Sequence, residues 1–491
     1  MKSKGPVVLA VFLGLLSPAG HGTLQHYDGV SAPSLPGSFS LSLGEQMTRL
    51  TLGEAIYLGL RNNPSIRSGY LQRVAEKFDL QVAEDAFKPR LTLKSTYLNT
   101  QGSEDRTRNA ELSPRADLLG EYGTRLSLGW TRQMNTSEQA AGMRSDGLEL
   151  AVIQTLMRGA GREVTTAPLR LARLSEQARR LNLKASVAQT VSGIITTYRD
   201  LLHAQEQLSI VEQALQRTHS LLEVNRALIR AGRMAEFDVV QTQADIAAQE
   251  LGVEEAHNQL QRSRVALLRL LALDLSIPVQ ASEVLDASQT HIDRRQALQL
   301  AQVQQPEYLA TLLQGQQAEL NLVIAKDQSR WDLSLVAGAN QRVDRHDTGA
   351  TRRWDRYAGV QLEIPLGDRS VYQAEVQARV NQQTQEIALA DARQALDAEV
   401  TTVVRELGTL WRQYEIARRS VDLSQRKLDI EREKLGAGGS SNFQVISFEG
   451  DLRNAQSARL GALIAYLNAQ TRLELTLGMT LESWEIALND Y

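Results

Sequence analysis

"LIRAGRMAEFDVV" at residues 228–240 and "KLGAGGSSNFQVI" at residues 434–446 carry the same punctuation: Ala-Gly, a Phe five residues after the Gly, then a β-branched pair. Both sit in proline-free stretches, residues 169–277 and 366–491. An interior proline costs a helix about 3 kcal/mol, so its absence permits long uninterrupted helices. A Gly inside such a stretch supplies the positive φ that a helix reversal commonly needs. Each stretch therefore reads as a helical hairpin with its tip at Gly232 or Gly438, 206 residues apart.

Working outward, the two halves match elsewhere. "EAIYLGLRNNPSI" from Glu54 aligns with "QALQLAQVQQPEY" from Gln296, at an offset of 242, and "AEDAFKPRLTL" from Ala83 aligns with "AKDQSRWDLSL" from Ala325. The offset falls to 206 at the Gly loops, so the chain reads as a tandem duplication with a longer insertion in its first half. Leu201, Leu208, Leu215, Leu222 and Ile229 recur every seven residues, with Ala204 and Val211 between them before Thr218 and Asn225 weaken the seam. The second copy has Leu407, Tyr414, Val421, Leu428 and Leu435, with Leu410 and Ala417 between. A helix over 168–230 would run about 95 Å, too long for a compact domain of this size.

Between the helices lie alternating stretches. "WDLSLVAGANQRV" from Trp331 and "AGVQLEIPL" from Ala358 alternate apolar and polar, and the first half offers strand candidates at 91–100, 121–133 and 147–154. Aromatics near the strand ends, Tyr97, Trp130, Trp331, Trp354 and Tyr357, fit the girdles of a transmembrane β-barrel; a half-buried sheet alternates in the same way. One up-and-down pair per half gives four strands, too few to close a barrel, so several chains must share it. Three candidates in the first half cannot return the chain to its starting side, so one of them is expected not to cross.

Composition bounds the rest. The N-terminus "MKSKGPVVLAVFLGLLSPAGHG" reads as a secretory signal peptide cut after Ala19, its apolar run being shorter than the roughly 20 residues of a membrane-spanning helix. With no Cys there is no disulfide, thiolate metal site or acylated cysteine. A net charge of -3 argues against a nucleic-acid partner. The His residues at 21, 26, 203, 219, 257, 291 and 346 form no ligand spacing, and there is no phosphate loop. The expectation is no enzyme, no metal and no cofactor. The chain divides into a signal peptide at 1–19, an N-terminal extended segment at 20–50, a first repeat at 51–278 and a second at 293–491. In the first repeat the strands lie at about 91–154 and the tip near 232; in the second they lie at about 331–366, with the tip near 438.

"LTLGEAIYLGLRNNPSIR", "AEDAFKPRLTL", "VIQTLMRGAG" at 152–161, "VQLEIPLGD" at 360–368 and the paired Gly loops together resemble the outer membrane efflux proteins of the TolC type. The resemblance spans nearly the whole chain after the signal peptide. It implies a mainly α fold with β: tandem-duplicated coiled-coil hairpins and transmembrane strands that form, in a homotrimer, an α-helical barrel in the periplasm and a 12-stranded β-barrel in the outer membrane. It also implies an exit duct of a tripartite efflux pump or type I secretion system, with outer membrane lipid around it. The implied partners are a periplasmic adaptor protein and an inner-membrane RND, ABC or MFS transporter. The alternative is an exported coiled-coil scaffold or adhesin without a pore, which shares the heptads and signal peptide but does not require duplicated strand pairs.

In that family the tips face the adaptor, which points here to Gly232, Arg233, Met234, Gly438, Gly439 and Ser441. Family tips carry Gly, a hydroxyl three residues on, Asp at six and Val at seven. Here Gly232 is followed by Ala235, Asp238 and Val239, and Gly438 by Ser441, Gln444 and Val445. The family's pore acids would fall on Gln444 and Ser447, which leaves Asp238 and Glu236 as candidate pore acids. For Asp238 the alternative is an acid at a helix N-terminus, favoured by the macrodipole. Trp331 stands where the first copy has Pro89, and Thr155 where relatives often carry Pro at the strand-to-helix bend.

Overall fold

The computed structural model describes residues 48–102, 106–137, 143–346 and 349–488, except for the side chain of His346. The signal peptide and nearly all of the 20–50 segment lie outside the described residues. The chain enters through β1 (Thr48–Leu50), α1 (Leu52–Asn62) and α2 (Pro64–Asp85). Four strands follow, β2 (Arg90–Gln101), β3 (Arg106–Leu119), β4 (Thr124–Ser137) and β5 (Met143–Thr155), then α3 (Arg162–Thr165), α4 (Ala167–Arg230) and α5 (Phe237–Leu270). The same order of helices, strands and long helices then recurs. It runs through β6 (Val279–Ala281), α6 (Arg294–Gln304), α7 (Pro306–Gln328), β7 (Asp332–His346), β8 (Gly349–Glu363), α8 (Ser370–Ala437), α9 (Asn442–Leu477) and α10 (Thr480–Ser483).

Local chemistry explains the boundaries. Thr51 and Glu54 form a reciprocal capping box at the start of α1, and Asn63 caps α2 with Pro64 at its first position. Gln305 and Pro306 repeat that arrangement at the start of α7. The 64 residues of α4 and 68 of α8 carry them over about 96 and 102 Å. Shorter helices flank them in two tiers. In the upper tier α2, α4, α7 and α8 lie side by side; in the lower tier the order is α5, α4, α9, α8.

Two apolar cores mark the level between these tiers. One joins α1, α4, the end of α5, β1 and β6 around Ile194, Ile195, Tyr198 and Leu267, all fully buried. The Tyr198 hydroxyl donates to the Leu50 carbonyl at 2.7 Å and ties the parallel β1–β6 pair to α4. The other core joins α6, α8 and α9 around Val400, Val403 and Tyr466.

The remaining six strands form one antiparallel sheet in the order β2-β3-β4-β5-β7-β8. This corrects the expectation of four strands per chain. All three first-half candidates are strands, and a fourth, β3, pairs between the first two of them, so the first half holds an even number of antiparallel strands. Its sequence, "RTRNAELSPRADLL", is polar and holds Pro114, which hides it from an alternation search. The β3–β4 register passes from Leu112–Arg132 to Arg115–Gly129, so Pro114 falls at an interruption of that ladder, where its missing N–H costs little.

Candidate functional site: an apolar-banded sheet and two linked helical tips

Strand pairing fixes which side chains share a face. Leu93 lies opposite Pro114, Leu128 opposite Ala116 and Leu150, and Leu335 opposite Val360. One face is thus an apolar band across all six strands, and Leu91, Leu93, Val360 and Leu362 on it are more than half exposed. A charged row caps the band, with Asp146 paired to Arg345 at 2.6 Å and to Arg132 at 3.5 Å. The opposite face is polar, where Ser127 donates to Asp117 at 2.7 Å and Arg115 donates to both.

Of the expected girdle aromatics, Tyr97, Trp130 and Trp354 share the apolar face, and Trp331 stands one residue before β7. Tyr357 does not. It pairs with Gly338 on the polar face, its ring occupying the space a Cβ at Gly338 would fill, so it is removed from the girdle set.

The bend from β5 into α4 is pinned by Thr155. Its buried hydroxyl donates to the Gly159 carbonyl at 2.9 Å, and the Gly159 N–H donates to buried Asp327 at 2.7 Å. Gly159 and Gly161 both have positive φ there. A hydroxyl thus fixes the bend at the position where Pro had been the comparison.

At the far end, both tips close with a left-handed Gly, Gly232 at φ 71° and Gly438 at φ 84°. The N–H groups of Arg233 and Gly439 return to the Leu228 and Lys434 carbonyls at 2.9 and 2.8 Å, satisfying helix-end acceptors. The tips then diverge. Ser441 caps α9 by accepting from the Gln444 N–H, whereas α5 begins at Glu236 without a side-chain cap. Asp238 lies in the first turn of α5, half-buried, and Glu236 is exposed. Arg233 donates to the Gly436 carbonyl at 3.1 Å, and Met234 packs on the apolar cluster of Leu221, Leu428, Leu435, Val445 and Leu452, so one chain brings its two tips together.

Beneath the tips runs a buried polar spine that sequence reading missed. Asn225 donates to Thr242 at 2.8 Å and to Asn442 at 2.7 Å, and Asn442 donates to the Asp238 carbonyl at 3.0 Å. All three side chains are essentially inaccessible. Deeper in, Gln249 donates to Thr218 at 2.8 Å, and buried Glu449 of α9 holds Arg217 of α4 and Arg432 of α8. Ser440 donates to Glu431 at 2.5 Å and, with Lys434, holds that carboxyl below the ordinary range. The available signal was the pair of polar residues, Thr218 and Asn225, at apolar heptad positions. They are matched polar contacts, not defects in the seam: Thr218 joins the two arms of the first hairpin through Gln249, and Asn225 reaches across to Asn442 of the second.

A shallow cavity of about 310 Å3 between α4 and α5 is lined by Asp200, His203, Arg262 and Ser263. Burial pushes the Asp200 carboxyl up and the His203 imidazole down, each partly offset by the other. Among the described residues no group of three or more His, Asp or Glu could hold a metal, and no helix is long and apolar enough to cross a membrane.

No protein-family model matches the chain. Protein CyaE of Bordetella pertussis is 24% identical over 411 residues, covering 81% of this chain and 77% of that protein. The CmeC outer membrane channel of Campylobacter jejuni superposes with a TM-score of 0.67 at 15% identity, over 87% of this chain and 86% of that one. The outer membrane protein VceC of Vibrio cholerae superposes at 0.66 and 16% identity, over 87% and 96%. The chain has the fold of the TolC-type outer membrane channels.

Proposed function

We propose that this chain is a passive outer membrane channel, working as a homotrimer and serving as the exit duct of a tripartite efflux pump or type I secretion system. The observation that carries the reading is the six-stranded sheet with one continuous apolar face, led by short bends into helices about 100 Å long. An apolar band capped by charge suits lipid, and a polar opposite face suits a water-filled lumen. A scaffold or adhesin has no use for such a band.

In this reading an N-terminal signal directs export, the duplicated hairpins reach into the periplasm, and the tips at Gly232 and Gly438 meet a periplasmic adaptor. The adaptor connects to an inner-membrane transporter that supplies the energy. Asp238 and Glu236 are the candidate acids at the narrow end, since Gln444 and Ser447 leave the second tip without one. Density-gradient fractionation of cells tests the placement. The chain is expected in the outer membrane fraction as an oligomer that heating in detergent dissociates; a soluble periplasmic monomer would overturn the reading.

A further inference from the structure

The sheet ends in two unpaired edges, β2 and β8, of 12 and 15 residues. Six strands cannot close on themselves, and long unpaired edges are templates for pairing with another chain. The edges continue into helices: α2 leads into β2, and β8 leads into α8. Each of these helices is apolar on two sides. On α2, Ile66 and Tyr70 face α4, while Leu71, Val74, Phe78 and Val82 stand exposed on the other side. On α8, Tyr372, Val376, Ile387, Ile416, Leu423 and Ile430 are all more than half exposed. At about 100° per residue they fall within about 80° of one another, so one stripe runs the length of the helix. In the lower tier the opposite edge is α5, which exposes Phe237, Val240 and Leu251 on the side away from α4.

The two edges also match in charge and face. Arg90 at the base of β2 and Glu363 at the base of β8 lie on the polar face, whereas Leu91 and Leu362 lie beside them on the apolar one. Strand directions alternate across the sheet, so β8 of one copy meets β2 of the next antiparallel, with Arg90 beside Glu363.

The sheet is already sheared for closure. The row of pairs that starts at Arg90 passes through Asp117, Ser127, Ala151 and Gly338 and arrives at Tyr357, six residues short of Glu363. With the seam counted, six residues at ~3.3 Å across six strand spacings of ~4.8 Å give a tilt of ~35°, within the range that barrels adopt. At that tilt six strands cover ~35 Å of circumference, within the ~32–40 Å taken by four helices side by side, whereas four strands would cover only ~23 Å.

Resting on the three-copy channel reading, we propose that this chain builds an eighteen-stranded barrel, closed by β8 of each copy on β2 of the next, with the α8 stripe seated on the neighbour's α2 above and α5 below. Eighteen strands leave an open aqueous lumen.

The absence of cysteine makes the test clean. Two double variants, Leu91→Cys with Leu362→Cys and Leu93→Cys with Val360→Cys, place thiols on the lipid-facing side of the seam, where they are exposed in the single chain. After oxidation in outer membranes, a ladder on denaturing gels that ends at three copies is expected, with the four single variants remaining uncrosslinked. A ladder that ends at two would mean a twelve-stranded ring of two copies and would overturn the count. Absence of crosslinks in protein that still conducts ions would overturn the seam while leaving the channel reading intact; loss of conductance in the unmodified chain would overturn both. Single-particle imaging of the unmodified chain in nanodiscs gives the strand count without any substitution. Twelve strands, with β3 and β4 outside the barrel wall, would refute the proposal.

Discussion

Replacing Asn225 should loosen the joint between the two hairpins at their tips and nowhere else. Asn225 is fully buried and donates to Thr242 of α5 and to Asn442 of α9, so it touches both partners at once. Asn225→Leu keeps the number and branching of side-chain heavy atoms but removes two hydrogen bonds, at about 1 kcal/mol each, and leaves the Asn442 side-chain oxygen only the Thr242 hydroxyl, at 3.3 Å, as a donor. The expected loss is about 2–3 kcal/mol of local stability, which raises the opening equilibrium roughly 30- to 150-fold. Hydrogen exchange followed by mass spectrometry reads it directly, because local opening exposes amides without global unfolding. Peptides covering 238–250 and 442–450 should exchange faster by that factor, while peptides around the fully buried Ile194 and Tyr198 stay unchanged. Unchanged exchange at the tips would show that the polar spine does not hold the hairpins together. A uniform increase along the whole chain would count equally against that role, by showing that the effect is not local.

Gly438 has φ 84°, so Gly438→Ala should cost roughly 1–2 kcal/mol and speed proteolysis at the second tip, whereas Gly439→Ala, outside the left-handed region, should not. Burial holds the Glu474 carboxyl above its ordinary range despite the nearby Arg199 charge, so the native state binds that proton more tightly than the unfolded chain does. Stability should therefore fall as pH rises from the ordinary carboxylate range through the raised value. Glu474→Gln should accordingly raise Tm at pH 8 and lose that gain at pH 4, and an equal gain at both would exclude the ionisation as its source. Asp238→Asn should alter the conductance or cation preference of a reconstituted channel more than Gln444→Asn does, because only the first removes a carboxylate. Equal effects would count against Asp238 as a pore acid.

The helical part of the fold was legible because its signals are periodic and redundant. Seven-residue repeats, the absence of proline from 169 to 277 and from 366 to 491, and two Gly reversals all point to long hairpins. The strands were legible only where alternation is strong. Strand β3 escaped because its apolar positions hold Ala110, Leu112, Pro114 and Ala116 among charged neighbours, and its identity as a strand depends on pairing with β2 and β4. Tyr357 was misplaced for a related reason: closeness to a strand end suggests a girdle, but the face is set by register, which no single strand reveals. The polar spine lay in plain view as Thr218 and Asn225. Their partners, Gln249, Thr242 and Asn442, sit on other helices, so the residues look like flaws until the hairpins are packed.

In the proposed function, copies of this chain enclose a water-filled path across a membrane. Recording single-channel currents from the purified oligomer in a planar bilayer tests it most directly. Stepwise, long-lived conductance of one unit size is the expected result, scaling with bulk electrolyte conductivity as an open aqueous lumen requires. A detergent-solubilised monomer that inserts without any conductance would contradict the account and leave a non-porous scaffold in its place.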